Sequence, residues 1–200
     1  SNDAITFGTS NILLGNGSDL VVNSTGGDIS VVAITGTSVE DVTLNAAAGN
    51  VTVGVIGAAD GQISDVVLTG TTINLGGNIT TDDDADAGDV DINGNVILTA
   101  AVTIDTSDAG GAVDGTFNIS GTVDGAFDLD IITDSAIAGI GGVIGGTTAL
   151  ATLDINKTAG ATGAVTISNN IGAGAAGVTG ALEIGNANTS TLTLAGTVYN

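Results

Sequence analysis

From residue 90 onward one seven-residue pattern returns four times in this chain. It reads apolar-x-apolar-x-(Gly or Asn)-x-apolar, as VDINGNV at 90–96, FNISGTV at 117–123, VTISNNI at 165–171 and LTLAGTV at 192–198. The copies start 27, 48 and 27 residues apart, so the middle gap fits two units of about 24. Alternating apolar and polar residues mark a half-buried strand. A strand that recurs at a regular period cannot bury its apolar face alone and has to stack on its own copies. The pattern therefore predicts an all-β chain folded as a parallel β-helix, a β-solenoid of stacked coils. Looser copies, DVTLNAA at 41–47, NVTVGVI at 50–56 and VVLTGTTI at 66–73, carry the reading toward the N-terminus. Residues 1–200 then form a single continuous solenoid segment, either whole or part of a longer repeat protein.

Composition suits that architecture. With three Phe and one Tyr among 200 residues, the core has to be built from Val, Ile, Leu and Ala, which suit pleated strands. The Gly or Asn inside the motif is expected at a solenoid corner, where left-handed backbone favours those two residues. Asn93, Asn118 and Asn169 are candidates for an amide ladder between coils. The competing fold is an antiparallel β-sandwich, because Asn16-Gly17 and Asn93-Gly94 each have the form of a type I′ hairpin turn. Cysteine and proline are absent, which excludes a disulfide framework, a thiolate metal site and a Pro-rich linker.

Twenty-two acids face a single base, Lys157, for a formal net charge of −21. A surface of this sign repels nucleic acid and anionic lipid, because phosphate binding needs Lys or Arg. Cations are the small partners it favours. Membrane insertion is not expected either, since the uncharged run 135–153 contains five Gly and three Thr. No basic segment followed by an apolar stretch opens the chain, so any signal peptide is removed or lies outside it.

Catalysis lacks its usual groups, with no His, no Cys and one Lys. Asp82, Asp83 and Asp84 would be the carboxylates of a glycosidase, but Phe7, Phe117, Phe127 and Tyr199 are too scattered to form a sugar platform. The glycines at 139, 141 and 142 lack the Lys-Ser/Thr of a phosphate loop. Thr71-Thr72, Thr80-Thr81 and Thr191-x-Thr193 suggest an ice-binding face, which variable coil length opposes. The chain reads as a non-enzyme.

Calcium is the best chemical candidate, and no cofactor is required. TDDDADAGDVD at 81–91 packs six Asp into the ten residues 82–91, and Asp82, Asp84, Asp86 and Asp89 are the candidate ligands. Ala87 and Asn93 stand where an EF-hand loop needs Gly and Glu, so this is not an EF-hand. GNGSDLV at 15–21 has the form of one calcium-binding RTX repeat. The alternative is a solvated acidic loop, and either way 82–91 is expected to protrude.

GDVDINGNVILTAAVTIDTSDAGGAVDGTFNISGTVDGAFDLDI at 88–131 and GGVIGGTTALATLDINKTAGATGAVTISNNI at 141–171 resemble the filamentous-haemagglutinin-type repeats of large bacterial exoproteins and adhesins. The resemblance implies a right-handed parallel β-helix that is extracellular or at the bacterial cell surface. It transfers no catalytic residue. The expected function is a structural or adhesive module of a surface, matrix or filament protein. The alternative is a calcium-dependent surface-layer or matrix-assembly protein. Expected partners are further coils, through end-to-end self-association or flanking repeats of the same protein, and a host or matrix surface ligand.

Overall fold

The computed structural model describes residues 2–57, 63–81, 88–107, 113–158, 160–174 and 177–200. It contains strands, turns and isolated bridges, with no helix among the described residues, so nothing helical there could span a membrane. Among the described residues every strand pairing is parallel. The chain winds through about seven turns of a β-solenoid.

Each coil crosses three faces in the order A, B, C. The first is typical: β1 (Ile5–Thr6) lies on face A, β2 (Ile12–Leu13) on face B and β3 (Leu20–Asn23) on face C. Longer strands turn a corner without a break. β4 (Ile29–Thr35) and β6 (Val51–Ile56) each run from A to B. β7 (Ile63–Leu75) and β9 (Val90–Leu98) run from C to A.

Register converts the sequence repeat into columns. On face B, Ile12, Ile34, Ile56, Ile79, Ile104, Ile131, Ile155 and Ile184 follow one another as pairing partners. The six between the end coils are fully buried. Each such side chain contributes about 1.5–3 kcal/mol by leaving water. On face C, Val90, Phe117, Ala138, Val165 and Leu192 form one column, at spacings of 27, 21, 27 and 27 residues. The two-unit gap is therefore real, and AGIGGVI at 138–144 is its missing copy. Phe117, the bulkiest fully buried side chain, stacks against Ala138 in that column, so large meets small.

Several sequence expectations need correction. The antiparallel sandwich is overturned by the parallel pairings. Asn16 and Gly17 do adopt left-handed backbone, with φ of 59° and 68°, but they turn the chain between faces B and C of one coil. Asn93-Gly94 lies inside β9. NVTVGVI does not share the motif's face: Val51 and Val53 pair with Ile73 and Leu75 on face A. Asn93, Asn118 and Asn169 occupy the fourth, second and fifth motif positions, hence three different columns, and cannot form one ladder.

The motif glycine has a different reason from the one expected. Gly94, Gly121 and Gly142 are not among the residues with positive φ. A Cβ on any of them would instead lie 2.2 Å from the carbonyl oxygen of Gly70, Gly94 and Gly121 respectively, one coil below. Close approach of backbones, rather than turn geometry, selects glycine here.

Coil length varies at the corner from B to C, and buried threonines control it. The Thr81 hydroxyl donates to the Gly88 carbonyl at 2.6 Å, Thr106 to Gly115 at 2.5 Å and Thr133 to Ala136 at 3.0 Å. Each bond closes the base of a segment of different length, so face C resumes in register. Replacing Thr106 with Val should cost about 1–3 kcal/mol by leaving the Gly115 carbonyl without that donor. Gly121→Ala should also cost about 1–3 kcal/mol or more, through coil separation. Gly139→Ala should be near neutral, because its Cβ would meet Asn118 Oδ1 at an ordinary 3.5 Å. Urea unfolding of the three variants checks the order.

Candidate functional site

Acidic side chains in this fold serve two purposes, and the geometry separates them. The first is bracing. Asp19, Asp41, Asp65 and Asp89 each stand directly before one residue of the face C column Leu20, Val42, Val66 and Val90, at DLVV, DVTL, DVVL and DVDI. Each carboxylate accepts the backbone N–H of its counterpart one coil on: Asp41 to Asp19 at 3.1 Å, Asp65 to Asp41 at 3.2 Å and Asp89 to Asp65 at 3.0 Å. Asp89 ends the row by accepting the Thr116 N–H at 2.7 Å and hydroxyl at 2.9 Å. Asp28, Asn78, Asn95, Asp124 and Asn170 accept N–H groups of the next coil in the same way at other corners. A side chain one methylene long reaches across one coil rise, and an ionised acceptor makes the stronger bond.

Glu40 is a longer version of the same device. It is fully buried, and its carboxylate accepts N–H groups from Gly17 at 3.1 Å, Thr37 at 3.0 Å and Ser38 at 2.9 Å. Gly17 belongs to the preceding coil, so Glu40 ties two corner turns together.

Of the predicted calcium ligands, Asp82, Asp84 and Asp86 lie outside the described residues. Asp89 is half-buried in the ladder, and Asp91 begins the outward row of β9 rather than continuing a protruding loop. Asp19 of the RTX-like segment is the ladder's first rung. Among the described residues no three Asp or Glu are grouped so as to hold a metal ion. The threonines of the proposed ice-binding rows are divided: Thr81 is buried as a loop clamp, whereas Thr193 is exposed on face C.

The second use of acid lies on face B of the C-terminal half. Here β10 (Val102–Asp105), β13 (Leu129–Ile132), β15 (Leu153–Ile155) and β17 (Leu182–Ile184) stack in order. Their register places Thr103, Asp130, Asp154 and Glu183 in one column. A groove of about 440 Å³ runs beside it, lined by Asn78, Thr103, Asp128, Asp130, Thr152 and Asp154 among others. Lys157 pairs with Asp154 Oδ2, and this hydrogen bond holds its ammonium above the ordinary lysine range. Asp154 is only 8% exposed, and its other oxygen, Oδ1, is buried with no hydrogen-bond partner. Burial pushes the Asp130 carboxyl above the usual carboxylate range; Lys157 opposes the shift, while Asp154 and Asp105 reinforce it. Sequence reading missed this cluster because residues 24 apart, 130 and 154, become neighbours only once the coil register is known.

No protein-family model matches the chain, and no curated protein or solved structure is significantly similar to it.

The direction of the Asp130 shift sets a pH dependence. A carboxyl whose folded pKa lies above its unfolded value favours folding when protonated, so its penalty is present at neutral pH and disappears as pH falls through the raised value. Asp130→Asn should therefore raise the melting temperature at neutral pH. The gain should shrink as pH falls through the raised Asp130 value and be gone below the ordinary carboxylate range, as followed by circular dichroism at several pH values.

Proposed function

We propose that this chain is a structural or adhesive solenoid module of an extracellular or bacterial cell-surface protein, of the filamentous-haemagglutinin-like kind, acting as a spacer or filament segment without a catalytic step. The observation that carries the reading is the uninterrupted core. Inward columns on all three faces pass through every coil, which makes the molecule a rod whose surface is mostly braced turns and outward strand residues.

The coil at residues 182–199 supports the assembly part of the proposal. No described coil lies over β17, β18 (Leu192–Leu194) or Tyr199, and Leu182, Leu192, Leu194 and Tyr199 are 37–44% exposed. Equivalent residues one coil below, Leu153, Val165, Ile167 and Ile171, are fully buried. An edge of this kind, with free backbone donors and acceptors above an apolar layer, recruits another strand. The covering coil comes from flanking repeats of the same protein or from a second copy stacked end to end. Charge offers little resistance, since residues 135–200 hold only Asp154, Glu183 and Lys157.

Sedimentation velocity of residues 1–200 tests this. Concentration-dependent, end-to-end oligomers are expected. Leu192→Asp or Leu194→Asp should suppress them, whereas Asn118→Asp, at an outward mid-rod position, should not. A stable monomer at high concentration would count against the assembly.

A further inference from the structure

We propose that Asn16, Asn23, Asn118 and Asn188 carry N-linked sugar, making one side of the solenoid a glycosylated surface. The sequence holds seven Asn-x-Ser/Thr sequons, at Asn16, Asn23, Asn50, Asn78, Asn118, Asn156 and Asn188. Strands that alternate polar and apolar residues produce this pattern readily, so the surroundings of each amide have to decide. Asn156 is buried, with Oδ1 accepting the Thr133 N–H and Nδ2 donating to the Thr133 hydroxyl. Asn78 Oδ1 is taken by the Thr103 N–H, and Asn50 is half-buried. The other four are exposed, and among the described residues none of their side-chain amides makes a hydrogen bond within the chain. The hydroxyl residues that complete these four sequons, Ser18, Thr25, Ser120 and Ser190, are exposed as well.

The four asparagines share a side. Asn16 lies in the turn from β2 to β3 and Asn188 in the turn from β17 to β18, the corner from face B to face C in the first and last coils. Asn23 ends β3, and Asn118 is the central residue of the strand Phe117–Ile119; both point outward from face C. In register with Asn118 on the next coil stands Gly139, which leaves space beside the amide, since even a Cβ there would lie 3.5 Å from Asn118 Oδ1. Val21, 61% exposed, projects on the same side of its strand as Asn23, so a sugar at Asn23 would cover apolar surface. In the linking step Nδ2 bonds to the anomeric carbon of a sugar diphosphate. The bond from that carbon to the diphosphate oxygen breaks, the diphosphate leaves with the bonding electrons, and one amide proton passes to the base of a glycosyltransferase of the producing cell. Whenever the sugar is attached, the folded product can carry it only where Nδ2 reaches solvent. At Asn156 a substituent on Nδ2 would displace the Thr133 hydroxyl and open the core.

This inference rests on the reading of the chain as an exported protein, and its test uses the protein purified from the cells that make it. Trypsin would cut only after Lys157, whereas cleavage at Asp and Glu separates the sequons. Asn16 falls between Asp3 and Asp19, Asn23 between Asp19 and Asp28, Asn118 between Asp114 and Asp124, Asn156 between Asp154 and Glu183, and Asn188 after Glu183. Tandem mass spectrometry should find sugar residues on Asn16, Asn23, Asn118 and Asn188 and a bare Asn156. A single sugar at each site points to a nucleotide-linked donor and an oligosaccharide to a lipid-linked one. Ser120→Ala should abolish the sugar at Asn118, and Ser120→Thr should keep it. Four bare asparagines, sugar on Asn156 of the folded protein, sugar confined to serine and threonine hydroxyls, or sugar at Asn118 that survives Ser120→Ala would each overturn the proposal. Fractionation of the same cells reads export separately, so an exported chain with all four asparagines bare overturns this inference and leaves the proposed function standing.

Discussion

The separation between successive coils governs this molecule. Parallel strands one above another sit about 4.8 Å apart, and every backbone and side chain has to fit that rise. Gly94, Gly121 and Gly142 follow from it, because a methyl group would collide with the carbonyl below. So do the isoleucines of face B, whose branched side chains lie against identical neighbours, and the aspartates whose short arms reach one coil and no farther. Propensity for strand is present throughout the sequence, but the rise decides which residue each column accepts.

The same rise makes charge placement consequential. A carboxylate that meets an N–H of the next coil, as Asp19, Asp41 and Asp65 do, becomes part of the stacking itself. A carboxylate that stands in register with another carboxylate, as Asp130 does with Asp154, is instead pushed above the usual carboxylate range, chiefly by burial, with Lys157 opposing the shift and Asp154 reinforcing it. The two outcomes differ in position: the bracing acids stand directly before the column Leu20, Val42, Val66 and Val90, whereas Asp130 and Asp154 each lie between two buried apolar residues of face B. That positional difference separates the bracing acids from the groove on face B.

Much of the fold was legible because alternation and recurrence are local signals. The motif at 90, 117, 165 and 192 marks face C correctly, and the unit between 117 and 165 follows from its length. Corners were harder to read. NVTVGVI resembles the motif but lies on another face, since period-two alternation is common to all three faces. The threonine clamps at 81, 106 and 133 precede segments of unlike length, which hid their equivalence. The aspartate ladder did leave a signal, an Asp just ahead of apolar-x-apolar at 19, 41, 65 and 89. Cross-coil pairs such as Asp130 and Asp154 required the register.

The direction of the hydrogen bonds has a mechanical meaning. They run from coil to coil, along the axis, so under axial tension the coil interfaces are in series and give way one at a time. A coil on face B takes up 22 to 29 residues between successive isoleucines. Detaching one would lengthen the rod by about 75–100 Å of extended chain in place of a rise of about 4.8 Å. A solenoid built in this way would yield to axial load by paying out chain, coil by coil from an end, while the remaining coils stay stacked.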